Sequence, residues 1–81
     1  MPKDINIVVT GTCGRGETYW DREITAEQYE RAMTNNGRLF QEDAQAVLTD
    51  SERWGYGASA TTVFEQDGKF YVHCSMWNNC D

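Results

Sequence analysis

Apolar and polar positions alternate in "INIVVT", with Ile5, Ile7 and Val9 on one side and Asn6, Val8 and Thr10 on the other. That period of two predicts a strand. "GTCGRGE" follows with three glycines in six positions and reads as a loop. "TYWDREI" resumes the alternation, with Trp20 and Ile24 facing inward and Arg22 between them. The two strands predict a first hairpin. At Thr25 the period changes. Thr25 and Gln28 form a capping box, in which hydroxyl and amide satisfy orphan backbone groups at a helix start, and Ile24 and Tyr29 occupy the staple positions. "AEQYERAMTNN" continues as a helix, with Tyr29, Ala32 and Met33 on one stripe and Glu27, Glu30, Arg31 and Thr34 largely outside it. Gly37 supplies a left-handed stop.

"RLFQEDAQAVLTDSERW" predicts a second helix over residues 41–48, with an extension to residue 53 left open. Ala44, Val47 and Leu48 give the apolar spacing, and Glu42 and Asp43 suit the positive end of the helix dipole. "GYGASA" breaks it, and "ATTVFEQDGKFYVHCSM" is a hairpin around Asp67-Gly68, a dipeptide suited to a type I′ turn. The predicted order is β-β-α-α-β-β in a single domain spanning residues 1–81. Hairpins are local, so the simplest assembly is an α+β fold: an antiparallel sheet of about four strands with helices packed on one face.

The two-residue turn also sets a register. Glu65 pairs with Phe70, Phe64 with Tyr71, Val63 with Val72, Thr62 with His73, and Thr61 with Cys74. Val63, Phe70, Val72, Cys74 and Met76 then face the core, while Phe64, Tyr71 and His73 face away.

Composition narrows the function. At 81 residues and 40% hydrophobic, with ten aromatics, the chain supports one core and little enclosed cavity. No apolar run reaches the ~18 residues of a membrane span, and the start lacks the basic and long apolar blocks of a signal peptide. The expectation is a cytoplasmic protein. Formal charge is −6, distributed as −1 over residues 1–24, −3 over 25–50 and −2 over 51–81. Such a balance argues against nucleic-acid phosphate as a direct ligand and for a basic protein surface as partner. It also serves simple solubility.

The chemistry-bearing residues do not converge. His73 and Cys74 are neighbours on a strand and project to opposite faces, so they do not ligate one metal. Cys13, Cys74 and Cys80 include no CxxC pair, and Cys13, Cys80 and His73 together fall one ligand short of a zinc site unless Asp81 or a second subunit supplies it. Cys74 reads as a small core residue. Cys13 and Cys80 read as free thiols. "GTCGRG" lacks both the Walker lysine and the GxGxxG spacing. No cofactor or metal is expected, and no catalytic residue. The aromatics carry more: Trp54, Tyr56 and Trp77 lie beside loop-like or terminal segments, and Phe64 with Tyr71 form a cross-strand pair on the non-core face. Tyr and Trp are favoured interface anchors.

"WGYG" at 54–57, "DGKFYV" at 67–72, the terminal "CD" and the helix start "ITAEQYERAM" resemble small proteins encoded by phages and prophages of Gram-positive bacteria. The resemblance covers residues 24–81 and brings no catalytic residues. It implies a phage accessory protein acting in the bacterial host cytoplasm, in a context where small acidic domains act as inhibitors of host defence, anti-CRISPR proteins among them.

Together these readings lead to a non-enzymatic, anti-CRISPR-like inhibitor that binds a basic surface on a bacterial defence or nucleic-acid-handling protein. Glu27, Glu30, Glu42, Asp43 and Asp50 would imitate phosphate charge, as in a DNA mimic, and Trp54, Tyr56 and Trp77 would supply the desolvated contact. Two alternatives stand beside it. One is a zinc- or redox-dependent module using Cys13 and Cys80. The other is a ligand-sequestering homo-oligomer, a homodimer in its simplest form, assembled through Phe64 and Tyr71.

Overall fold

The computed structural model describes residues 3–11, 15–55 and 57–77, leaving aside the side chains of residues 54 and 55. It is an α+β fold: β1 (Asp4–Val9), β2 (Glu17–Ile24), α1 (Ala26–Met33), α2 (Gln41–Val47), α3 (Asp50–Gly55), β3 (Ser59–Gln66) and β4 (Lys69–Trp77). The four strands make one antiparallel sheet in the order β1-β2-β4-β3. Each hairpin thus contributes one edge strand and one central strand, and the hairpins join through β2 and β4.

The helix start at Thr25 follows the sequence. The Gln28 backbone N–H donates to Thr25 Oγ1 at 3.1 Å, and the Thr25 N–H donates to Gln28 Oε1 at 2.9 Å. Ala32 is fully buried and Tyr29 stacks on Phe70 at 4.4 Å. Met33, expected on the same stripe, is exposed. At the far end Gly37, with φ of 78°, donates its N–H to Ala32 O at 3.0 Å.

The second helical region divides in two. Leu48 takes an extended conformation (ψ 145°) and buries its side chain, ending α2. Thr49 and Glu52 then start α3 with a second reciprocal cap: Thr49 N–H to Glu52 Oε1 at 2.8 Å and Glu52 N–H to Thr49 Oγ1 at 3.3 Å.

The core lies between the helices and one face of the sheet: Trp20, Ile24, Val63, Val72 and Cys74 from the strands, with Ala32, Leu39 and Leu48 above them. Two irregularities correct the expected faces. In β1, Asn6 sits at φ 52° and the pairing slips between Ile5 and Val8. Ile5 therefore opposes Asp21 and Val8 opposes Tyr19, so Ile5, Ile7 and Val9 do not share a face. In β3 the register from the turn holds through Val63↔Val72 and then shifts, so that Ala60, not Thr61, opposes Cys74. The cause is the segment that laces the outer edge of β3. Leu39 N–H donates to Thr61 O at 2.8 Å, Val63 N–H to Gly37 O at 2.9 Å, and Arg38 bridges to Thr62. Both are bulges, in which one strand carries an extra residue and turns its side chains over.

Inside the fold sits one guanidinium. Arg22 shares the core-facing parity of Trp20 and Ile24, and its side chain is only 9% exposed. Nε and Nη2 donate to Asp4 at 2.8 and 3.0 Å, Nη1 and Nη2 to Glu52 at 2.7 and 3.0 Å, and Nη1 to Val47 O at 3.0 Å. Its carbon also lies 5.4 Å from the centre of the Trp20 ring. These bonds tie β1, β2, α2 and α3 together. They hold Arg22 above its ordinary pKa, with Asp4 the larger cause and Glu52 the next. Burial alone would push the Glu52 carboxyl up, but its bonds from Arg22 and the Thr49 backbone bring it below the usual carboxylate range.

Candidate functional site

With Trp20, Arg22 and Ile24 turned to the core, the alternate residues of β2 line the opposite face of the sheet. They are Glu17, Tyr19, Asp21 and Glu23, and they pair across to Trp77, Ser75, His73 and Tyr71 of β4. Three carboxylates on one strand thus stand beside a row of aromatic rings.

The centre of this face is ordered by direct contacts. Asp21, buried, meets His73 Nδ1 at 3.0 Å through Oδ1 and accepts from Asn6 Nδ2 at 2.9 Å through Oδ2. The bulge at Asn6 is what brings that amide within reach of Asp21. The His73 side chain remains half exposed and stacks on Tyr19, with ring centres 5.9 Å apart and planes 11° from parallel. Tyr19 Oη donates to Glu17 Oε2, and that hydrogen bond, with slight burial and the carboxylate charge, raises the phenol pKa. Phe64 stacks on Tyr71 at 5.6 Å. Trp77 ends β4 on the same face, 60% exposed, with its indole against Gly57.

An aspartate holding a histidine in one orientation resembles two-thirds of a hydrolytic triad. Among the described residues no hydroxyl or thiol hydrogen-bonds His73 as the third member. Ser75 Oγ contacts Ser59 Oγ at 3.1 Å. Cys74 lies on the core side, fully buried, its thiol pushed up to about 12 by burial. Among the described residues no three His, Cys, Asp or Glu side chains converge as metal ligands. The groove between α2 and β3, about 390 Å³, is lined by Leu39, Ala44, Leu48 and Ala60 with Arg53 at its rim. Arg53 is already occupied by Gln45 O, Leu48 O and Asp50.

The residues singled out from the sequence disperse. Glu27, Glu30 and Glu42 are exposed on α1 and α2. Asp50 is exposed and paired with Arg53. Asp43 does not belong with them: it is buried, 3.5 Å from Arg31 Nε, and one of its oxygens accepts no hydrogen bond among the described residues. Tyr71 also departs from expectation. It shares the non-core face with Phe64, as the register required, but is only 6% exposed, and Phe64 is half buried, so the pair offers little open apolar surface for a second copy. The Trp54 side chain, Tyr56, Cys13 and Cys80 lie outside the described residues. What the sequence reading passed over is the acidic row Glu17, Asp21 and Glu23 with Tyr19 inside it. The signal was present, because placing Trp20 and Ile24 inward puts these odd-numbered residues outward.

No known protein family matches this chain, and neither does a curated protein or a solved structure.

Proposed function

We propose that this chain is a non-enzymatic protein-binding module whose sheet face opposite the helices receives a basic segment of its partner. The observation that carries this reading is the partly exposed pair Glu17 and Glu23, on either side of the buried Asp21, set against Tyr19, His73 and Trp77 on one face. A lysine or arginine side chain gains twice there, from carboxylate pairing and from lying over aromatic rings. The net charge of −6 supports the same choice of partner, since it speeds encounter with a basic surface. In its narrower form, which rests on the resemblance to phage accessory proteins, the partner is a bacterial defence or nucleic-acid-handling protein and the module inhibits it by occupying its basic site.

The test is affinity capture from a Gram-positive bacterial lysate with three baits. These are the unmodified chain, a sheet-face variant (Glu17→Lys, Glu23→Lys) and a helix variant (Glu27→Lys, Glu30→Lys, Glu42→Lys). A protein retained at low salt, lost at high salt and lost from the sheet-face bait supports the proposal. Its association rate should fall by about ten-fold or more on the sheet-face reversal. Loss only from the helix bait would move the interface to the exposed acids of α1 and α2. Retention that ignores both salt and sheet-face charge refutes the reading.

A further inference from the structure

The two edges of the sheet differ. The outer edge of β3 is laced by residues 37–39, whereas the outer edge of β1 has no partner strand among the described residues. The helices pack over β3 and β4, and Arg22 ties α3 to β1 only at Asp4. Beyond that tie, Ile7, Val8 and Val9 are 61%, 52% and 64% exposed. Ile7 and Val9 lie on the helix side and Val8 on the other, so the strand is apolar on both faces. That is the composition of an interior strand, yet β1 stands at an edge.

Natural edges are blunted by charge, proline or a bulge. Here the charges (Lys3, Asp4) and the bulge at Asn6 guard only the start of β1, and residues 5–11 carry no charge at all.

We propose that β1 pairs antiparallel with β1 of a second copy, joining two four-stranded sheets into one of eight. Three observations select a second copy. The strand is self-complementary: with a two-fold axis at Val8, Ile7 of one copy opposes Val9 of the other, a β-branched pair, and no like charges meet. Its neutrality removes the repulsion that a chain of charge −6 would otherwise oppose to its own kind. Residues 37–39 also occupy the β3 edge at Thr61–Val63, which disfavours head-to-tail growth and favours a dimer. The pairing leaves both acidic-aromatic faces on the same side of the joined sheet. One short strand from each copy buries less than the ~1,200 Å² of a stable complex, so the association is a weak one.

The backbone supplies a selective test. Thr10 and Glu17 exchange both N–H···O bonds, at 2.8 and 3.0 Å. By the alternation of an antiparallel ladder, Val9 next to them points its own N–H outward. Val9→Pro therefore removes a donor from the free edge without taking one from the β1–β2 ladder. Val8→Lys is the second variant, setting two ammonium groups opposite each other at the axis. Sedimentation equilibrium on the full chain, with circular dichroism to confirm folding, reads the outcome. The unmodified protein should pass from monomer to dimer with increasing concentration, more readily as salt rises, and either folded variant should stay monomeric. A monomer at the highest concentration in high salt overturns the proposal. So does a folded Val9→Pro protein that still dimerises.

Discussion

Replacing Arg22 with Met tests whether the core is organised around its one buried guanidinium. Met approximates the volume but donates nothing. The change leaves two carboxylates, those of Asp4 and Glu52, facing each other with side chains only 31% and 14% exposed, and it leaves Val47 O without its donor. Breaking a buried ion pair by removing one partner costs about 3–5 kcal/mol, because the remaining charge stays desolvated. A domain of this length holds about 4–12 kcal/mol in total, at ~0.05–0.15 kcal/mol per residue. Arg22→Met should therefore remove a large part of the stability and lower Tm by at least about 12 °C, at ~4 °C or more per kcal/mol. Urea titration followed by tryptophan fluorescence measures it. Asp50→Ala is the control, an 86% exposed partner of Arg53 expected to cost under about 1 kcal/mol. If Arg22→Met costs no more than Asp50→Ala, the buried network does not hold the helices to the sheet.

Stability should also fall in acid. The folded pKa of Glu52 lies below its unfolded value, so its contribution is present above about pH 4.3 and is lost as pH falls through the lower folded value; a flat urea midpoint from neutral pH to pH 3 would contradict this. Cys74 should resist alkylation at mildly alkaline pH until the chain unfolds, since burial raises its thiol to about 12; peptide mapping that finds Cys74 labelled in the native protein would refute it. Thr25→Ala should cost about 1 kcal/mol in urea titration by removing the α1 cap, and no measurable loss would mean the capping box contributes nothing.

The elements were legible wherever the signal was local. The Thr25 cap, the Asp67-Gly68 turn and the Phe64–Tyr71 and Val63–Val72 pairs depend on residues a few positions apart, and all appear as the sequence implied. The faces of β1 and the start of β3 were not legible. Their bulges are held by Asp21 and by residues 37–39, contacts that no periodicity records. The break between α2 and α3 was available in principle, since Thr49 and Glu52 repeat the pattern of Thr25 and Gln28. The candidate face divides in the same way. Its outward row on β2 follows from alternation, whereas the meeting of Asp21 with His73 depends on which strands become neighbours, and the burial of Asp43 on how α1 lies against α2.

The strand order also governs how the chain finds its shape. Each hairpin can close on its own within microseconds, but the seam between β2 and β4 joins residues such as Asp21 and His73, 52 positions apart. The intervening chain, with all three helices, must be drawn into a loop before that seam repays the lost freedom, and loops of this length raise the barrier. Substitutions along β2 and β4 should therefore slow folding, while those in the outer strands should chiefly speed unfolding. The same seam couples the hairpins, since the helices pack over β3 and β4 and the β1–β2 hairpin takes its place beside them by docking on β4.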